Sequence, residues 1–213
     1  MAIKEKEYMS AFILAGFFTI TILGLTSSSG PQFLHLIPHI FLVSAIVLVV
    51  NNKYQNTEHY IFYTILLILS YLIHWLLIKL EIHQLQPDYS QTLGLQLLNV
   101  PLVIPVLWFL LVNVVNGMLR KFPFNTFIAA FIGSTLILII DLFLEAQATK
   151  FGFWSWKNGE IPFTNFIWWF AISFGFLFTS LQLNIRNNTF ISTVIFVLML
   201  MFLTVSDTIV FNI

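Results

Sequence analysis

Asp141 and Glu145 stand four residues apart at the end of a long apolar run, in a chain with only nine acidic residues among 213. On a helix, residues at that spacing project from nearly the same side, about 6 Å apart along the axis. Two carboxyls that close cannot both ionise cheaply, so one is expected to keep its proton near neutral pH and to serve as an acid. The alternative is bland: Glu145 reaches the lipid headgroups and Asp141 caps or pairs with a neighbour. The stretch from Glu145 to Phe170, "EAQATKFGFWSWKNGEIPFTNFIWWF", adds Trp154, Trp156, Pro162, Asn165, Trp168 and Trp169. Aromatics in membrane proteins are by default lipid-facing packing and interfacial belt, and Trp154 and Trp156, in a loop between acids and Pro162, are the least ordinary of them.

These side chains sit in greasy sequence. The chain is 59% hydrophobic and 8% charged, with a mean hydropathy of +0.92, whereas soluble domains carry about a quarter charged residues. Apolar runs long enough to cross a hydrocarbon core of about 30 Å occur near 9–26, 33–50, 59–80, 97–118, 125–146, 163–184 and 189–211. The expected fold is all-α, a polytopic membrane bundle of about seven transmembrane helices forming one integral membrane domain over 1–213. Six Lys or Arg fall at the ends facing the N-terminus and three (Lys79, Lys150, Lys157) at the opposite ends. That bias predicts a cytoplasmic N-terminus, with a bacterial inner membrane as the expected location.

Helix count alone puts the polar residues on one side. His74 and Glu81 end the third span, Asp141 and Glu145 the fifth and Asp207 the seventh. His35 and His39 open the second span, Asn99 and Trp108 lie in the first half of the fourth, and Asn165, Trp168 and Trp169 open the sixth. Embedded acids cost roughly 2.5–3.5 kcal/mol each on insertion scales and usually face a partner or cavity. One polar pocket in one leaflet is therefore expected, and a transporter, which needs polar groups through both leaflets, fits less well.

Several classes fall away. Cysteine is absent, so neither a disulfide nor a thiolate metal site exists. His35 and His39 have the spacing of helical metal ligands, but five histidines are too few for a histidine-box di-iron site, and no metal is expected. The last span holds no Lys for a retinal Schiff base. A net charge of zero gives no reason for nucleic-acid binding. The chain also echoes itself: Glu81, Val100-Pro101 and Trp108 recur as Glu145, Ile161-Pro162 and Trp169, with Trp seven residues after Pro each time. Pro is tolerated in a first helical turn, so a duplicated helix–loop–helix unit makes local sense.

Asp141, Glu145 and Ala148, "GFWSW" from Gly152 to Trp156, Ile161-Pro162, Asn165-Phe166 and Trp169, with Gly94, Val100-Pro101-Leu102, Pro105 and Trp108 upstream, together resemble the membrane carotenoid biosynthesis family. That family contains bacterial and archaeal carotenoid hydratases and looks distantly related to heterodimeric and fungal-type lycopene cyclases. The cyclases follow the Pro with a pair of Glu, whereas Pro162 is followed by Phe163, Thr164, Asn165 and Phe166. Two departures are visible: Ala146 stands where the hydratases have Pro, and His74 where they have Glu. The resemblance implies hydration of the terminal (ψ-end) double bond of a linear carotenoid by acid catalysis through a tertiary cation, without a cofactor. It implies Asp141 as proton donor, Glu145 as its charge neighbour or water-activating base, and His74 in support. Asn165, Trp108, Trp154, Trp156, Trp169 and Glu81 are then expected around a lipophilic carotenoid drawn from the membrane lipid. A cyclase or a non-catalytic isoprenoid-binding protein remains open at this point.

Overall fold

The computed structural model describes residues 2–80, 82, 87–156 and 159–209. Helices α1 (Ala2–Leu25), α2 (Gly30–Phe33), α3 (Leu36–Val50), α4 (Thr57–Lys79), α5 (Val103–Leu119), α6 (Thr126–Lys150), α7 (Phe163–Gln182) and α8 (Thr189–Asp207) account for most of it. Four two-residue strands, β1 (Asp88–Tyr89), β2 (Gln96–Leu97), β3 (Val100–Pro101) and β4 (Trp154–Ser155), lie in the loops. Among the described residues six spans, with α2 and α3 counted as one, are long and apolar enough to cross a membrane, and α5 is a shorter apolar helix. The protein is an all-α polytopic bundle, as the apolar runs predict.

Helix α5 is its axis. Asn113 and Asn116 are buried among continuous apolar neighbours from Leu107 to Val115, and α3, α4, α6, α7 and α8 all pack against it. A helix apolar on every side belongs in an interior. Seventeen residues give α5 a length of about 25 Å, less than the hydrocarbon core. Its start corrects the sequence reading of a span from 97. Leu98 and Asn99 have φ of 50 and 66, in the left-handed region, and β2 pairs antiparallel with β3 around them. Asn99 is thus exposed in a turn, outside the helix. Helix α6 instead runs one turn further than expected, to Lys150, so Glu145 sits inside the helix with a full turn beyond it.

The two ends of the bundle are built differently. On the N-terminal side, Asn56, Asn125 and Asn188 cap α4, α6 and α8, each side-chain oxygen accepting a backbone N–H (from His59, Ile128 and Ile191). Amide caps of this type are worth about 1 kcal/mol each. Below them a buried amide network joins the helices. Tyr63 Oη donates to Asn187 Oδ1 at 2.7 Å and accepts from Asn52 Nδ2 at 3.0 Å. Asn187 Nδ2 in turn donates to Asn113 Oδ1 at 3.1 Å and Asn116 Oδ1 at 3.3 Å. Replacing Asn187 by Leu leaves the Tyr63 hydroxyl and two amide oxygens buried without this partner, at about 1–3 kcal/mol per group. We expect Asn187→Leu to lower the melting temperature in detergent by several degrees while whatever protein stays folded keeps its product pattern; an unchanged melting curve would contradict the network's role.

The opposite end carries the candidate site residues. There the loop holding β1 is stitched to the loop holding β4, with Asp88 opposite Ser155 and Tyr89 opposite Trp154. Ser90 N–H also donates to Phe153 O at 2.9 Å.

A candidate site built around Glu145

Helix α6 presents Glu145 to three donors. Trp154 Nε1 and Trp156 Nε1 each donate to Oε2 at 2.9 Å, and Asn165 Nδ2 donates to Oε1 at 2.9 Å. The two Trp come from the loop after α6 and Asn165 from the first turn of α7, so the carboxyl is gripped from three directions. It is 2% exposed. Three N–H groups aimed at one carboxyl satisfy both its oxygens and fix its orientation. The bland reading, in which Glu145 snorkels to the headgroups, does not describe this geometry.

Asp141 is the opposite case. One turn deeper on α6 and 0% exposed, it has no hydrogen-bond partner for either carboxyl oxygen among the described residues. Buried polar groups are nearly always satisfied, and one that is not calls for a reason. An unpaired buried carboxyl is least costly as the neutral acid. The i, i+4 pair therefore divides into an acceptor held by donors and an isolated carboxyl behind it.

His74 projects from α4 into a second set of contacts. Trp108 Nε1 donates to His74 Nε2 at 3.0 Å, and His74 Nδ1 lies 2.9 Å from Tyr89 Oη. An indole N–H only donates, so Nε2 is the acceptor; this assigns the ring proton to Nδ1, which donates to the Tyr89 oxygen. Both ring nitrogens are thus engaged, and His74 orients Trp108 and Tyr89. The phenol proton of Tyr89 is left free to point elsewhere. Burial, with the Glu145 carboxyl nearby, holds that phenol well above its ordinary pKa, so Tyr89 remains a neutral donor. Tyr89 is the residue that sequence reasoning passes over as a site member, although it stands out as an aromatic in the "QPDYSQ" loop, where the resembling family has a Gly- and Tyr-rich turn.

Trp108 and Trp169, matched positions in the internal echo, stack with centroids 4.4 Å apart and planes 20° apart. The two helix–loop–helix units, α4–α5 and α6–α7, meet at this stack and at the β1–β4 ladder. Between them lies a pocket walled by His74, Tyr89, Trp108, Glu145, Trp154, Trp156, Asn165, Trp168 and Trp169. Its free volume is about 40 Å³, above the ~10–15 Å³ that a cavity needs to hold a water. Asp141 stands behind this wall and is not part of it. Glu81 lies outside the described residues. His35 and His39 are exposed away from the pocket, the His39 ring bonding the His35 carbonyl at 2.8 Å. Among the described residues no three His, Asp or Glu group as metal ligands would.

Comparison with known proteins gives one match. A family described as "Carotenoid biosynthesis protein" matches residues 34–212. No curated protein and no solved structure matches the chain. The matched region runs from before α3 to beyond α8 and contains every residue of the pocket, and the chain therefore belongs to the carotenoid biosynthesis protein family.

Proposed function

We propose that the protein is a carotenoid hydratase that adds water across the terminal double bond of a linear carotenoid without a cofactor. The observation that carries this reading is a donor-gripped Glu145 at the wall of a small pocket, with Asp141 buried one turn behind it and without a hydrogen-bond partner among the described residues. Hydration needs a proton for the alkene carbon, an environment that tolerates a tertiary cation, and a base that takes a proton from the attacking water. The carboxyl pair carries one proton between its two groups and supplies the first and the last: the proton rests on Asp141 behind the wall and reaches the alkene by way of Glu145, which lines the pocket. The alkene takes that proton, water adds to the cation and returns a proton to the pair, and one carboxyl is again neutral. Stacked Trp108 and Trp169 with Trp154 provide aromatic faces for the cation. Glu145 and Asn165 are the polar groups against which the water is held.

Cyclisation starts from the same cation and ends with an internal double bond in place of water, and room for a water beside Glu145 favours the hydratase. With the N-terminus in the cytoplasm, as the Lys and Arg bias favours, the pocket lies in the outer leaflet of a bacterial inner membrane. The test is expression in cells that make linear carotenoids, with chromatography and mass measurement of the pigments. A hydratase yields a pigment heavier by one water; an isomer of unchanged mass indicates a cyclase, and no new pigment a binding protein.

A further inference from the structure

Beside the pocket, on the lipid side of the bundle, a larger groove runs between α4 and α7. Both helices pack on α5 but stand apart from each other, and the groove between them has a free volume of about 540 Å³. On α4 it extends from Glu58 to Ile73, a distance of about 22 Å along the axis, most of the hydrocarbon thickness. Its walls are apolar apart from Glu58, at the N-terminal side, and Thr179. Its far end reaches Ile73 and Ile172, and these two residues also line the pocket of Glu145.

Helix α7 is two-sided in a way that keeps the groove open. Phe170, Phe174 and Phe178 stack along one side, where Phe131 and Phe127 of α6 meet Phe170 and Phe174 edge-on. On the side toward α4 the residues at the same four-residue interval are Ala171, Gly175 and Thr179, all exposed. A Cβ added to Gly175 would meet nothing within 4 Å. No neighbouring helix needs that glycine for close approach. Its effect is to leave a trough.

We infer that the α4–α7 groove holds the long polyene chain of a linear isoprenoid whose terminal double bond lies in the Glu145 pocket. This inference rests on the reading of the pocket as the site of carotenoid chemistry. A pocket with room for a water cannot enclose a carotenoid, so most of the molecule must lie elsewhere, and the groove is apolar, elongated and joined to the pocket wall. A lipid acyl chain shares the apolar character but brings a headgroup, for which the pocket end offers no cationic partner among its lining residues.

The test uses the full chain purified from cells that make lycopene, with retained pigment measured by absorbance, alongside turnover of lycopene and of a short acyclic terpene with the same end group. Gly175→Phe fills the trough and displaces the polyene, which predicts a loss of lycopene retention and turnover of about tenfold or more. The short terpene, whose end group enters the pocket with little chain left to lie in the groove, is turned over as by the wild type. Gly175→Ala leaves both substrates unaffected. Gly16→Phe on α1, where an added Cβ also meets nothing within 4 Å, controls for bulk added at another open glycine and leaves both unchanged. Lycopene retained by the wild type and lost in Gly175→Phe supports the groove even if no product forms, an outcome that would end the hydratase reading alone. Lycopene handled equally by the wild type and Gly175→Phe overturns the groove, as does recovery of phospholipid only.

Discussion

Asp141→Asn protein is expected to insert and fold like the wild type and to form hydrated pigment at least ~10²-fold more slowly, the lower end of what a general acid contributes. Asn keeps the size and polarity of the side chain but cannot give up a proton at neutral pH. Because the Asp141 carboxyl has no hydrogen-bond partner among the described residues, the exchange breaks no bond there, and the melting temperature should barely move. Asp141→Leu sharpens the distinction. Removing an unsatisfied polar group from a fully buried position stabilises a protein by about 1–3 kcal/mol when the replacement fits. The Leu variant should therefore melt at a higher temperature than the wild type and be inactive, as expected of a residue kept for chemistry at the expense of stability. A structural Asp141 would show the reverse, with lower melting temperature and retained turnover per folded molecule.

Glu145→Gln is expected to cost as much activity and more stability. The amide has one oxygen to offer where the carboxyl has two, while Trp154, Trp156 and Asn165 supply three donors. The Gln oxygen can keep both indoles, and its NH2 group can face Asn165 if that amide turns its oxygen inward. The charge is lost, and with it the stronger charge-assisted bonds, roughly 1–3 kcal/mol of stability. Without a carboxylate no base remains beside the water, so product formation should fall ~10²–10⁴-fold. Melting curves and pigment analysis on the same preparations separate the two effects. Turnover above a tenth of wild type would move the base elsewhere.

What is legible in the sequence depends on which interactions are local. Asp141 and Glu145 declare themselves because helical spacing alone puts them together, and the apolar runs locate the bundle because each helix satisfies its own backbone. Hydropathy misplaces the start of α5 because it cannot register the left-handed Leu98 and Asn99 or a ladder two residues long. The grip on Glu145 is half-legible: Trp154 and Trp156 stand out as aromatics in a polar loop, but their convergence on one oxygen depends on how that loop folds back. The Tyr89–His74–Trp108 chain joins three elements with no shared periodicity. The α4–α7 groove leaves no trace, since its residues taken singly are ordinary lipid-facing ones. His35, His39 and Asn99 share the site's end of the bundle, as helix count implies, yet they are exposed away from it.

The most direct test is conversion of a linear carotenoid by the purified protein in water enriched in oxygen-18 and, separately, in deuterium oxide. Hydration at this site predicts a product carrying one heavy oxygen in the first case and one non-exchangeable deuterium on the carbon next to the new alcohol in the second, both lost in Asp141→Asn. A product that takes up deuterium but no oxygen-18, with mass otherwise unchanged, would contradict hydration and make the protein a cyclase.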